Sequence, residues 1–169
     1  MDVLFLLNNM QQKISNVILR LQQEYPKVKF ASGDNFVWSS TNRTVTYINK
    51  DDDISVWALI HETAHASLDH KDYTTDHQLL NLETQAWVEA KFIANKLNVV
   101  IDQDHIEDCL DTYRDWLHKR ATCPSCDVVT LQQQDRNYKC FNCQTIWKVP
   151  NSPICQVVRQ KIPNRIDPS

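Results

Sequence analysis

The chain has 169 residues and a formal net charge of −3, with 42% hydrophobic and 23% charged residues. These proportions are close to those of ordinary globular proteins, so they exclude a disordered or a fibrous chain. The single glycine, Gly33, excludes the glycine-rich loops that cradle phosphate groups, and with them nucleotide chemistry of that kind.

The N-terminal residues favour an intracellular protein. Five apolar residues, 3–7, are followed at once by polar ones, with no basic start and no small-residue cleavage site, which is unlike a signal peptide. No stretch approaches the ~18 apolar residues of a membrane span. We therefore expect a cytoplasmic protein with no membrane partner, whose six cysteines are thiols or metal ligands rather than disulfides.

Hydrophobic spacing predicts the elements of the first 120 residues. A helical stripe over residues 2–25 ends at Pro26, and aromatic and β-branched runs at 36–38 and 44–48 predict a β-hairpin. Three aspartates then begin a helix that extends to about residue 69. Two further helices are predicted, over residues 78–98 and 104–119.

After Arg120 the helical spacing stops and cysteines occur in pairs among short strand-like runs. We predict a first domain over residues 1–120, a small β-domain over 121–149 and an extended tail over 150–169, where four of the six prolines lie. The fold class is α+β: a mostly helical domain with a small antiparallel sheet or hairpin, followed by a C-terminal β zinc ribbon.

Two histidines and a glutamate form the first constellation. His61, Glu62 and His65 lie inside the predicted helix, and residues four apart share one face about 6 Å along its axis. Both imidazoles can therefore reach one zinc ion, and Glu62 lies beside them as a base for water at the metal. The spacing predicts a catalytic zinc site.

A third protein ligand is required, because catalytic zinc takes three and leaves one position open. We favour Glu83, early in the next predicted helix, since a long loop allows that helix to fold back on the first. The alternatives within reach are Glu89, His70, His77 and Asp76.

The segments 61–70 and 83–87 resemble the ImmA/IrrE family of gluzincin-type metallopeptidases. The resemblance covers about residues 35–100 and implies a zincin-like domain that hydrolyses peptide bonds. It implies that the zinc ligands are His61, His65 and Glu83, and that Glu62 is the general base. SprT-like proteases, which join a similar helix to a cysteine ribbon, are the competing family; their third ligand is a histidine, which here would be His70 or His77.

The implied reaction needs a protein or peptide substrate and a donor for the oxyanion. His70, Tyr73 and His77 are the candidates by position in the loop between the two helices. We further hypothesise that an exposed strand at 44–48 pairs with an extended substrate peptide.

Four cysteines form the second constellation, with the spacing of a zinc ribbon. The predicted ligands of this structural zinc are Cys123, Cys126, Cys140 and Cys143. Asp127 and Gln144 follow the two pairs where glycine is common, which predicts strained loops. With the histidine site, the chain is expected to bind two Zn²⁺ ions.

The role of the ribbon depends on its charge. Residues 121–169 hold six basic and three acidic residues, but four thiolates around Zn²⁺ contribute about −2, which offsets most of that excess. We therefore favour a structural or substrate-docking role over nucleic-acid binding. Two other functions stay open: a protease for DNA-bound proteins, which would use the cations Arg159, Lys161 and Arg165, and a non-catalytic adaptor stabilised by zinc.

Overall fold

The computed structural model describes residues 14–133, 136–150 and 158–163. In that part of the chain it has four helices and two three-stranded sheets, so the α+β prediction holds. The helices are α1 (Ile14–Glu24), α2 (Asp53–Ser67), α3 (Asp76–Leu97) and α4 (Gln103–Ala121). The strands are β1 (Lys29–Ser32), β2 (Val37–Ser39), β3 (Thr44–Tyr47), β4 (Asn137–Lys139), β5 (Ile146–Lys148) and β6 (Gln160–Ile162).

The chain divides into two compact units. The first comprises Met1–Lys71 and Gln85–Asp102, and the second comprises Asp72–Thr84 and Gln103–Ser169. The boundary passes through α3, and α4 is grouped with the cysteine-bearing segment. The division into domains at residues 120 and 149 stays a prediction.

The sheet of the first unit has the strand order β1-β3-β2. The predicted hairpin is present, with β2 antiparallel to β3, while β1 adds a parallel partner on the other side of β3. The hypothesis that the strand at 44–48 is open to a substrate is therefore wrong, because β3 is paired on both sides. Of the described strands of this sheet, β2 is the edge strand that contacts α2.

Helix α2 begins at the predicted aspartates. Asp52 is the N-cap residue, and its carboxylate accepts a hydrogen bond from the Ser55 amide at 2.7 Å. Hydrogen bonds from Lys50 and then Ser55 hold the pKa of the Asp52 carboxyl down, to about 2. The helix packs on α1, β2 and β3 through a buried apolar face that includes Leu59, Ile60 and Ala64.

The remaining helices end within a few residues of their predicted limits, and α3 and α4 also begin within a few residues of theirs. Helix α1 buries Ile14, Val17, Ile18 and Leu21, while the first twelve residues of the predicted helix lie outside the described residues. Helix α3 begins two residues early, at Asp76, and ends at Leu97 before Asn98, which has a positive φ of 56°. Glycine is the usual residue with this left-handed conformation after a helix, and asparagine is the common substitute for it.

The second sheet belongs to the cysteine-bearing segment and has the order β4-β5-β6, antiparallel throughout. Its core is formed by Tyr138 and Trp147, whose rings stack with centroids 5.3 Å apart. Strand β6 lies in the segment assigned to an extended tail, so three of those residues belong to the ribbon's sheet instead. No helix in the described part of the chain is long and apolar enough to cross a membrane.

Candidate metal centres

The two histidines of α2 face each other as their spacing predicts. The Nε2 atoms of His61 and His65 lie 3.1 Å apart, and the two rings meet edge to face. His61 is buried and His65 is half-buried. One helix face therefore presents two ring nitrogens to the same point.

Glu83 is the third member of this group. Within the part of the chain that the structure describes, His61, His65 and Glu83 each offer one ligand atom, and these atoms lie within 4.8 Å of one another. Trp87, one turn later on α3, packs its ring on the His61 ring with centroids 4.2 Å apart. Residues four apart share a helix face, so this packing also brings Glu83 towards the histidines.

The Glu62 carboxylate lies at the edge of the first sheet. Its Oε2 accepts a hydrogen bond of 2.6 Å from the backbone amide of Trp38 in β2. This bond orients the carboxylate that the sequence assigns as the base. The contribution of Trp38 was not foreseen, because a backbone amide leaves no signal in the amino-acid pattern.

His70 contacts the side of the His65 ring that faces away from His61. Its Nδ1 is 2.9 Å from the Nδ1 of His65, the ring nitrogen opposite the one that faces His61. The backbone carbonyl of His70 accepts the indole N–H of Trp38 at 2.9 Å. His70 is therefore placed to orient His65, and it is not a member of the three-residue group.

The other candidates of the loop and of α3 are placed elsewhere. Glu89 accepts a hydrogen bond from the Ser67 hydroxyl, and Asp76 is bound to Arg120. His77 is exposed and lines a groove described below. Burial, and then the charge of Asp76, raises the pKa of the Tyr73 phenol, which therefore stays protonated and able to donate a hydrogen bond.

The four ribbon cysteines form the second group. Their sulfur atoms lie within 4.8 Å of one another, with Cys126 Sγ 3.5 Å from Cys140 Sγ and 3.4 Å from Cys143 Sγ. A disulfide would need about 2.05 Å, so these are thiols. Hydrogen bonding to Thr145 lowers the pKa of the Cys143 thiol to about 6, which favours the thiolate that binds metals.

Both donor sets fit zinc. Tetrahedral coordination at ordinary Zn–N and Zn–S bond lengths separates neighbouring nitrogens by about 3.3 Å and neighbouring sulfurs by about 3.8 Å. The observed separations, 3.1 Å between ring nitrogens and 3.4–3.5 Å between sulfurs, lie a few tenths of an ångström below these values. Four thiols make a closed site, whereas two imidazoles and one carboxylate leave a position for a substrate or water.

The two loops of the ribbon contain the strain that their sequence predicts. Asp127 and Gln144 have positive φ angles of 57° and 60°, a conformation that glycine adopts without steric cost. Each backbone amide bonds to the carbonyl of the first cysteine of its pair. Both residues therefore hold the tight turn that the two knuckles need.

We expect Gln144→Gly to raise the free energy of unfolding of the zinc-loaded protein by about 1 kcal/mol, because the substitution removes this strain. Urea unfolding followed by tryptophan fluorescence measures the change. Asn142→Gly in the same knuckle is the control: Asn142 has no positive φ, so glycine there should not stabilise the protein. Equal effects of the two substitutions would contradict the assignment of strain to Gln144.

A buried polar network occupies the core of the second unit. Arg120 donates two hydrogen bonds to the Asp76 carboxylate, at 2.7 and 3.1 Å, and Tyr138 donates a third at 2.7 Å. Arg120 is 1% exposed and Asp76 is 2% exposed. Asp76 begins α3, Arg120 lies near the end of α4 and Tyr138 is in β4, so the network joins the ribbon to two helices.

A groove of about 260 Å³ lies in the second unit, next to this network. Its lining is mostly apolar and includes two imidazoles; among the lining residues are His77, Leu80, Leu117, His118, Leu131 and Tyr138. None of the seven residues of the two ligand groups lines it. It is therefore a feature separate from both groups.

Among the described residues, the remaining candidate cations and Cys109 lie outside both ligand groups. Arg159 donates a 2.7 Å hydrogen bond to the carbonyl of Thr122, so its guanidinium stabilises the ribbon. Lys161 is exposed on β6, whereas Arg165 and Cys155 lie outside the described residues. Cys109 is half-buried in α4, and burial raises the pKa of its thiol.

The two ligand groups are the features that a relative of this chain would be expected to share. A search with protein-family models finds no match, and searches of curated proteins and of solved structures find none either. The chemistry of both groups is therefore inferred from their own residues and distances.

Proposed function

We propose that the protein is a cytoplasmic zinc-dependent endopeptidase that hydrolyses peptide bonds of a protein substrate. The observation that carries the proposal is the three-residue group His61, His65 and Glu83, with the Glu62 carboxylate on the same helix as the histidines. A purely structural zinc site takes four protein ligands and needs no free carboxylate beside it. Three ligands and a base are the set that hydrolysis requires.

The roles of the residues follow from these contacts. Zinc held by His61, His65 and Glu83 would polarise the scissile carbonyl and make a water molecule more acidic. Glu62 would accept the proton of the attacking water and pass it to the leaving nitrogen. Since Oε2 accepts the Trp38 amide, we assign the proton transfer to Oε1.

The substrate would lie along β2. This strand is the edge of the first sheet that packs against α2, and extended peptides bind to such edges through main-chain hydrogen bonds. Because the Trp38 amide is bonded to Glu62, the strand would bind the peptide by accepting its amide hydrogens at carbonyl groups. We assign this role to β2 in place of β3. The protonated phenol of Tyr73 is our candidate donor to the oxyanion, because His70 is turned to His65 and His77 lines the groove.

We keep the ImmA/IrrE resemblance as the preferred proposal and the SprT-like one as its alternative. A SprT-like site would use His70 or His77 as its third ligand. In the described residues the third member is instead Glu83, and His70 contacts the nitrogen of His65 that faces away from His61. We propose that the cysteine ribbon holds a second, structural zinc and supports or docks the substrate, with nucleic-acid binding the less favoured role.

We expect native mass spectrometry to find two zinc ions on the wild-type chain and one on Glu83→Ala, because two imidazoles alone hold zinc weakly. Glu89→Ala is the matched control: it removes a glutamate from the same helix, six residues later, and should keep both ions. One zinc on the wild-type chain would mean that only the ribbon is metallated, and the adaptor function would replace the peptidase. Two firmly held ions on Glu83→Ala would move the third ligand to another residue.

A further inference from the structure

We propose that Trp38 is a positioning residue of the histidine site. Its backbone amide orients the general base, Glu62, and its indole orients the zinc ligand His65 through His70. This inference rests on the proposed function. Trp38 lies in β2, outside the zinc-binding helix, and it contacts the site through two different donors.

The first contact is the hydrogen bond from the Trp38 amide to Glu62. A backbone amide has one hydrogen to donate. The Trp38 amide donates it to Glu62 Oε2, with 2.6 Å between the nitrogen and the oxygen, and not to a neighbouring strand. Trp38 is paired in register with Val45, and the flanking residues of β2 are paired with Thr46 and Thr44. The sheet therefore fixes the direction of this amide, and the amide fixes the carboxylate.

The second contact runs from the indole through His70 to His65. The indole N–H donates to the His70 carbonyl at 2.9 Å, which positions the loop residue that follows α2. The ring of His70 then meets His65 Nδ1 at 2.9 Å. When His65 offers the lone pair of Nε2 to a metal, its proton is on Nδ1, so His70 must accept that proton's hydrogen bond.

Arg43 contacts both the Trp38 ring and the residue before His70. Its guanidinium lies 5.9 Å from the centre of the Trp38 ring and pairs with Asp69 at 3.1 Å, directly before His70 in the chain. The segment 69–70 is thus attached to the β2–β3 hairpin by an ion pair and by the indole bond. A shift of β2 would move the base and the ligand's partner together.

We expect Trp38→Phe to release the histidine-site zinc about 10-fold faster to a chromogenic chelator, and to lower kcat with little change in KM, since partners of metal ligands contribute about 10–100-fold. Phenylalanine keeps an aromatic ring and the backbone amide but has no indole N–H to donate. The ribbon zinc in the same molecule is the internal reference for folding. Trp57→Phe is the matched control, because Trp57 also donates its indole N–H to a carbonyl, that of Val100, in the same unit.

Substitutions at His70 test the second half of the path. His70→Ala should release zinc about 10–100-fold faster, whereas His70→Asn, whose side-chain oxygen can accept the bond from Nδ1, should recover most of the loss. If Trp38→Phe releases the histidine-site zinc no faster than Trp57→Phe does, the role of Trp38 is overturned and the proposed peptidase function is not affected. A wild-type chain that holds no zinc at the histidines would overturn both.

Discussion

Glu62→Gln is expected to lower the rate of peptide hydrolysis about 10²–10⁴-fold while both zinc ions stay bound. Glutamine has nearly the shape of glutamate, and its amide oxygen can still accept the 2.6 Å hydrogen bond from the Trp38 amide. It cannot accept a proton at neutral pH. Cleavage of a degenerate peptide library, followed by mass spectrometry on the zinc-loaded protein, measures the loss.

The control for this substitution is Glu89→Gln, which changes a half-buried glutamate of α3 that bonds to the Ser67 hydroxyl. It should cleave at the wild-type rate. If Glu62→Gln cleaves at the wild-type rate as well, Glu62 is not the base. If its second zinc is lost, the carboxylate acts as a ligand, and the assignment of three ligands and a base must be redrawn.

Helix α2 could be predicted because its signals are local. Three consecutive aspartates mark its start, and the two histidines four residues apart mark the face of the candidate metal site. The structure begins the helix at Asp53 and brings the two Nε2 atoms together. The ribbon is similar, since each cysteine pair forms its own tight loop, and the strained residues after each pair could be named in advance.

The sheet could be predicted only in part. The hairpin of β2 and β3 was foreseen because turn residues join two β-branched runs. Strand β1 was missed: it is four residues long, with an alternation too short to separate it from a loop, and it is stabilised by parallel pairing to β3. That pairing decides which strand is at the edge, so a local pattern could not identify the strand available to a substrate.

The polar contacts around the site could not be predicted, because their partners are far apart in the chain. Trp38 reaches Glu62 across 24 residues and His70 across 32, while Asp76 bonds to Arg120 across 44. In the sequence, Asp76 and Arg120 look like ordinary charged residues near helix ends. Only the fold shows that they are buried together.

Arg120→Met is expected to lower the free energy of unfolding of the zinc-loaded protein by about 3–5 kcal/mol, because it leaves the buried Asp76 charge without its partner. Urea unfolding followed by circular dichroism measures the loss. Arg114→Met is the matched control on the same helix. Arg114 also pairs with two carboxylates, Glu107 and Asp111, but its side chain is 47% exposed, so its loss should cost much less stability than the loss of Arg120.

The double substitution Arg120→Met with Asp76→Asn separates the charge from the packing. If the uncompensated carboxylate causes the loss, removing it should recover part of the stability, so the double variant should be more stable than Arg120→Met alone. The Tyr138 hydroxyl can still donate to the asparagine oxygen, which keeps the link to β4. Two additive losses, or a cost of Arg120→Met no greater than that of Arg114→Met, would show that the ion pair does not stabilise this core.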